Sequence, residues 1–367
     1  MRLWIACLVC LAAMAGPAFA GARSVTDSLG NKVEFSDKTD HVICSGAGCL
    51  RLLTYLQAQD QIVGVEDIET RRSKFDARPY FIANPQLRDM PVFGQYRGFE
   101  NPELILTLEK QPEVILKTYA SSMGSDPVEL NKKTGIPVVV LNYGDLGKLR
   151  PQLFQSLRTM GEVVGKQDRA EAVIAFIQNI IADLNKRTGD IPVEKRPSVY
   201  IGGVAFKGPH GYSSTEPSYP PFTFVNANNL AYDERMSGKE LRHSNVSKEI
   251  IVKWNPDVLF LDLSTLKMGD KAGGLFELRK DPAYRTLTAV QKGKVYGLLP
   301  YNWYTKNYGS ILANAYFIGK QIYPDRFEDV DPAAKANEIY TFLVGKPVFK
   351  EMNGLFQNLA FKPIPVN

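Results

Sequence analysis

Cysteine is nearly absent from this chain of 367 residues: beyond the first twenty only Cys44 and Cys49 occur, in ICSGAGCL. That excludes a disulfide-stapled scaffold and a zinc site built from four thiolates. Histidine is as scarce. His41, His210 and His243 are the complete set, and none pairs with another at metal-ligand spacing, which argues against a bare-ion site made of imidazoles and carboxylates. The chain has no G-x-S-x-G, no H-E-x-x-H and no P-loop, so the reading turns from catalysis to binding. No basic run is long enough for nucleic acid, and charges of both signs are mixed. Long apolar runs are also missing, except Leu3–Met14, which is too short to span a bilayer.

That run follows Arg2 and precedes Ala18-Phe19-Ala20, a small-x-small cleavage signal. Residues 1–20 therefore read as a signal peptide. Its removal takes the formal charge from +5 to +4 and releases a soluble exported chain. Val9 precedes Cys10 where a lipoprotein signal wants a small residue, so anchoring there is the minor reading. In an oxidising compartment, Cys44 and Cys49 are a candidate disulfide across a short loop; two small buried residues are the alternative.

The chain also repeats itself. ELILTLEKQPEVIL at 103–116 and EIIVKWNPDVLFL at 249–261 each open on Glu, run through an apolar helical stretch to a proline, and end on a short apolar run. Proline stops the helix, and the run that follows suits a strand buried on both faces. Two such units predict two similar α/β lobes with central, mostly parallel sheets and a ligand cleft between them. Residues 169–187 hold a broad apolar face from Ala170 to Leu184 and lie between the repeats. A helix of this length spans nearly 30 Å and would bridge the lobes as a stiff strut, with Asp168 as its cap. The expected division is an N-terminal lobe at 21–167, the interlobe helix at 168–187 and a C-terminal lobe at 188–367. FKGPHGYSSTEPSYPPFTF suits neither helix nor sheet and reads as a long functional loop.

Aromatic and cationic residues concentrate in the predicted loops. Tyr96 and Arg97 precede the first repeat, and Lys117 and Tyr119 follow its strand; Lys207, His210, Tyr212 and Tyr219 lie in the long loop, and Tyr301, Trp303, Tyr304, Lys306 and Tyr308 in the last. Ring faces beside a few cations suit a bulky, flat or anionic ligand, although about half of these rings are expected to be core. Ser45 and Gly46 open a strand-to-helix turn whose free N–H groups suit an anion; read alone, it is an ordinary turn.

With these pieces in order, the chain resembles the periplasmic substrate-binding proteins of ABC importers for iron–siderophore complexes, haem and cobalamin. The resemblance runs from Gly21 to about Lys346, through VICSGAGCLRLLTYLQAQDQIVGVE, GQYRGFENPELILTLEKQPEVIL, GKQDRAEAVIAFIQNIIADL, VSKEIIVKWNPDVLFLDL and DPAYRTLTAVQKGKVYGLLP. It implies two α/β lobes joined by one long helix, periplasmic residence, a monomer, no intrinsic cofactor, and an ABC permease dimer in the inner membrane as partner. It also implies that Glu103 and Glu249 dock on permease arginines. The ligand expected between the lobes is a metal complex, foremost an anionic iron(III) chelate, with corrinoid, haem and a metal oxyanion as rivals. Arg97 and Lys207 would neutralise it, Tyr96, Tyr212, Trp303 and Tyr304 would pack on it, a phenolate or His210 would ligate its metal, and Tyr119 is a further expected ligand-binding residue. A cleft enzyme using His210 as general base is the reading from another class.

Overall fold

The structure is a computed structural model and describes residues 21–233 and 243–366. The expected signal peptide, Cys10 included, lies outside those residues. The chain opens with a hairpin, Arg23–Thr26 against Lys32–Phe35, and then builds two sheets. The first takes the strands in the order 99–100, 92–95, 62–66, 42–45, 114–118, 138–141. All its neighbours are parallel except the pair formed by residues 92–95 and 99–100. The second takes the order 228–229, 198–202, 258–262, 295–298 and is parallel throughout. The strands of both repeats, Val114–Thr118 and Val258–Asp262, are interior members of their sheets, and each follows its repeat helix, Pro102–Leu106 or Lys248–Trp254.

Gln167–Thr188 forms the long helix, about 33 Å at 1.5 Å per residue. Its buried stripe is Ala170, Val173, Ile174, Ile177, Ile180, Leu184 and Thr188. Asp168 does not cap it: the cap position is Lys166, without a side-chain hydrogen bond. Asp168 is the second residue of the helix, within its first turn, where its charge favours the helix dipole. More than this helix holds the lobes together. The C-terminal helices Pro332–Val344 and Phe349–Leu355 pack back on Pro79–Ala83 of the first lobe, and Pro332–Val344 also packs on Tyr308–Ile322 of the second. Phe342 stacks on Phe176 of the long helix at 3.9 Å. Arg169 donates to the carbonyls of Tyr55 and Phe342, joining three helices.

The proline-rich stretch is more ordered than its composition predicts. Ser214–Thr215 pairs with Ser244–Asn245, and Pro220–Phe224 is a short helix. Proline is tolerated there because the first helical N–H groups need no intrahelical partner. Among the described residues no helix is long and apolar enough to cross a membrane.

The structure has no bond between Cys44 and Cys49 and fits the other reading, two small buried residues. Cys44 and Cys49 are free buried thiols, and Cys49 donates to the carbonyl of Leu116. Burial first, and then the adjoining Cys49, push the Cys44 thiol well above its usual range. The thiolate that would have to exchange is therefore suppressed. Native protein prepared without reductant should resist iodoacetamide, whereas after unfolding Cys44 and Cys49 should each take one adduct by mass spectrometry. An unfolded chain that takes neither would restore the disulfide.

Candidate ligand-binding cleft

In parallel α/β sheets the loops that follow the strands gather at one edge, and ligands bind outside the carboxyl ends of the strands. Both sheets point that edge at a common cleft. A cavity of about 400 Å3 lies there, lined by Ala47, Ile68, Tyr96, Arg97, Met123, Ala205–Pro209, Ser264, Lys267 and Asn302–Thr305. An adjoining pocket of about 260 Å3 shares Ala47, Arg97, Met123 and Thr305, and adds Tyr119, Asn142, Tyr143 and Lys306. Each lining segment follows one of the strands ending at residues 45, 66, 95, 118, 141, 202, 262 or 298. No Asp or Glu lines either space, whereas Arg97, Lys207, Lys267 and Lys306 do.

The loops are held from below by buried carboxylates. Glu66, at the end of its strand, accepts the N–H of Gly46 at 2.9 Å and of Gly98 at 2.7 Å on one oxygen, and the Tyr304 hydroxyl on the other. Tyr304 comes from the opposite lobe, and its hydroxyl also accepts the N–H of Arg97 at 2.9 Å. Glu100 accepts from Ser45 and from Lys117, and Lys117 donates to the carbonyl of Gly98 at 3.0 Å. The Gly98 peptide is thus tied at both its N–H and its carbonyl. Burial pushes the Glu66 carboxyl up from 4.5 to about 7, although the Tyr304, Gly46 and Gly98 donors act against the rise.

A second tie runs from the first lobe to the loop after Leu298. Arg51 is buried and donates to the carbonyls of Trp303 (3.1 Å), Tyr304 (3.0 Å) and Lys306 (2.9 Å), and to the Tyr143 hydroxyl (2.6 Å). Tyr143 donates in turn to the Lys306 carbonyl. Glycine at position 48 lets the Tyr143 ring approach: a Cβ there would meet the ring at 2.1 Å. Arg97, Lys207, Tyr304 and Thr305 all have positive φ, between 47° and 71°. Such a conformation costs an L-residue roughly 1–3 kcal/mol and persists where surrounding bonds over-determine it. For Tyr304 those bonds are the ones to Glu66, Arg97 and Arg51.

The structure brings together Tyr96, Arg97, Lys207, Trp303 and Tyr304 in the main cavity, and places Tyr119 in the adjoining pocket. Three expected contacts are corrected. Ser45 is wholly buried with its hydroxyl on Glu100, and the Gly46 N–H is taken by Glu66, so neither meets a ligand. Tyr212 is a core ring, set edge-on to Tyr200 and Tyr284. Lys117 is likewise buried against Glu100. His210 lies beside the cavity wall, with its ring on the carbonyl of Phe206. Sequence reasoning missed Lys267, whose ammonium stands 4.7 Å from the Trp303 ring centre. The repeat itself carried the signal, since Lys267 occupies the loop after the second repeat strand just as Tyr119 occupies the loop after the first. Asn302, which donates to the Ala205 carbonyl, was missed too.

Residues 42–301 match the model of a family described as periplasmic binding protein. The chain is 27% identical to the molybdate-binding protein MolA of Haemophilus influenzae, over 92% of this chain and 94% of that one. The structure of that protein bound to molybdate superposes with a TM-score of 0.65 at 21% identity, covering 88% of this chain and 98% of the other. A TroA-like periplasmic binding protein FepB from Veillonella parvula gives a TM-score of 0.62 at 20% identity, over 88% and 96% of the two chains. The chain belongs to the periplasmic binding protein family.

Glu66 and Asp262 impose a pH dependence on folding. Both are raised by burial, Glu66 to about 7 and Asp262 from 3.8 to about 6. The folded state therefore holds these protons more tightly than the unfolded chain. Their contribution is fully present below about pH 4 and is lost as pH rises through the folded values. Glu66→Gln should remove a fall of about 3 kcal/mol between pH 4.5 and 7, measured as wild-type minus variant stability in denaturant titrations across that range. Parallel pH profiles for the two proteins would refute the assignment.

Proposed function

We propose that this periplasmic binding protein captures a metal-containing anion between its lobes and hands it to the membrane permease of an ABC importer. The observation that carries the reading is the charge of the cleft: Arg97, Lys207 and Lys267 line it, with Lys306 paired to the underlying Asp145 at 4.0 Å, and no carboxylate does. A bound anion meets no like charge there, and the low-dielectric walls strengthen each attraction. The rings of Tyr96, Trp303, Tyr304 and Tyr119 add flat apolar surface. This space and these rings favour an anionic metal chelate, of which iron(III) complexes are the leading class; haem and corrinoid fit the same walls. A bare metal oxyanion is the second reading. It is favoured by the relative named for molybdate, which covers nearly the whole chain. The proposed layout keeps one lobe at 21–167, the long helix at 168–187 and the second lobe from 188, with a cleaved signal before Gly21 and a monomeric periplasmic protein.

For the permease side we assign Glu103 and Glu249. Both are exposed first-turn residues, after the caps Asn101 and Ser247. Their helices lead into parallel strands, so they run antiparallel to those strands and begin on the side where the cleft opens. Exposed Leu104 and Leu106 accompany Glu103, and exposed Ile250 follows Glu249. Apolar surface beside a charge suits a partner surface.

Calorimetric titration with molybdate, tungstate and ferric citrate tests the ligand. Arg97→Ala and Lys267→Ala should each weaken the bound anion at least tenfold, and the anion that binds chooses between the two readings. Preference for a cationic or neutral ligand, indifferent to both variants, would overturn the proposal. Glu103→Lys or Glu249→Lys should abolish uptake in cells with ligand affinity unchanged; undiminished uptake by both variants would remove the docking assignment.

A further inference from the structure

The three histidines are far apart in sequence, yet the fold brings two of them together. His210 lies in the loop after Ser198–Gly202, and His243 immediately precedes Ser244–Asn245, whose pairing with Ser214–Thr215 carries it back to that loop. The ring centres of His210 and His243 are 5.5 Å apart. Both rings are half-buried against the cleft wall, where His243 stacks on Phe206 at 4.4 Å.

Their hydrogen bonds determine which nitrogen carries the proton. Nε2 of His210 faces the carbonyl oxygen of Phe206 at 2.7 Å. A carbonyl only accepts, so that nitrogen bears the hydrogen. Nε2 of His243 meets the Ser214 hydroxyl at 3.2 Å, and Ser214 spends its own proton on the Val204 carbonyl at 2.7 Å. The serine oxygen is left to accept, so His243 also carries its hydrogen on Nε2. Each neutral ring then keeps its lone pair on Nδ1. Imidazoles that bind metals have this arrangement, with one nitrogen donating to an oxygen and the other ligating. A metal about 2.1 Å from each nitrogen sits roughly 3 Å from each ring centre, so two such ligands on one ion have centres on the order of 5 Å apart.

We propose that His210 and His243 form a two-nitrogen metal site at the edge of the cleft for a borderline divalent cation of the nickel, copper or zinc class. Among the described residues no third His, Cys, Asp or Glu joins them. The remaining positions on the metal are therefore filled by water, for a free cation, or by the donor atoms of a chelate. The site stands independently of which anion fills the main cavity.

The test uses the mature chain without an affinity tag, titrated with nickel chloride and, separately, with the nickel–nitrilotriacetate chelate, which leaves two positions open. Wild type should bind one nickel per chain. His210→Ala and His243→Phe should each weaken binding at least tenfold; phenylalanine preserves a flat ring against Phe206, so loss there reflects the missing nitrogen. With one equivalent of copper(II), electron paramagnetic resonance should show two imidazole nitrogens in wild type and fewer in each variant. Binding of the chelate as well as the free ion assigns the pair to the metal of a chelated cargo, and binding of nickel chloride alone assigns it to a free cation. Nickel affinity unchanged in both variants, or a copper spectrum without imidazole nitrogen, would overturn the site.

Discussion

One buried carboxylate organises the binding end of this protein. Glu66 receives two backbone N–H groups from loops of its own lobe and a tyrosine hydroxyl from the other. A buried carboxylate without partners is strongly unfavourable, and backbone donors without acceptors nearly so. The cheapest arrangement for all of them is the one observed, with the turn at Gly46, the loop at Gly98 and the loop at Tyr304 converging on one group. The cleft walls are held at fixed spacing before any ligand arrives, which lowers the ordering cost of binding.

Around that point the polar groups divide by depth. The acids lie below: Glu66 and Glu100 spend their charge on loop peptides and on Lys117. The cations Arg97, Lys207 and Lys267 lie above, at the wall of the cavity. Arg51 belongs to the lower set despite its sign, because its guanidinium is consumed by carbonyls of the loop Trp303–Lys306. The strained backbone at Arg97, Lys207, Tyr304 and Thr305 falls within the same shell. Strain at four lining residues is consistent with side chains aimed by tertiary bonds against local preference.

Joining of the lobes follows the same logic. The long helix is one connection, and the C-terminal helices that return to the first lobe are another, with Phe176 on Phe342 and Arg169 between them. Large relative rotation of the lobes would break packed apolar surface as well as the ties at Arg51 and Glu66.

The architecture was legible along the chain because it is written in local patterns. Apolar runs of strand length, prolines that stop the repeat helices and the long apolar stripe from Ala170 to Leu184 each carry their own physical signal. So do the loops, and with them Tyr96, Arg97, Lys207, Trp303 and Tyr304, because loops at strand ends are where cleft residues stand. Which loop residue faces the ligand was not legible. Tyr212 and Trp303 look alike in sequence, yet one is sealed between two tyrosines and the other lines the cavity. Ser45 and Gly46 had the composition of an anion site until a glutamate twenty residues on occupied it. Cys44 and Cys49 had the spacing of a bond that burial suppresses. His210 and His243 became neighbours only through a two-residue strand pairing. Sequence by itself determined the elements and the loops that carry function, since periodicity and turn chemistry act over a few residues. Tertiary structure alone decided which charges are spent inside and which are left for the ligand, because that depends on partners brought together from distant parts of the chain.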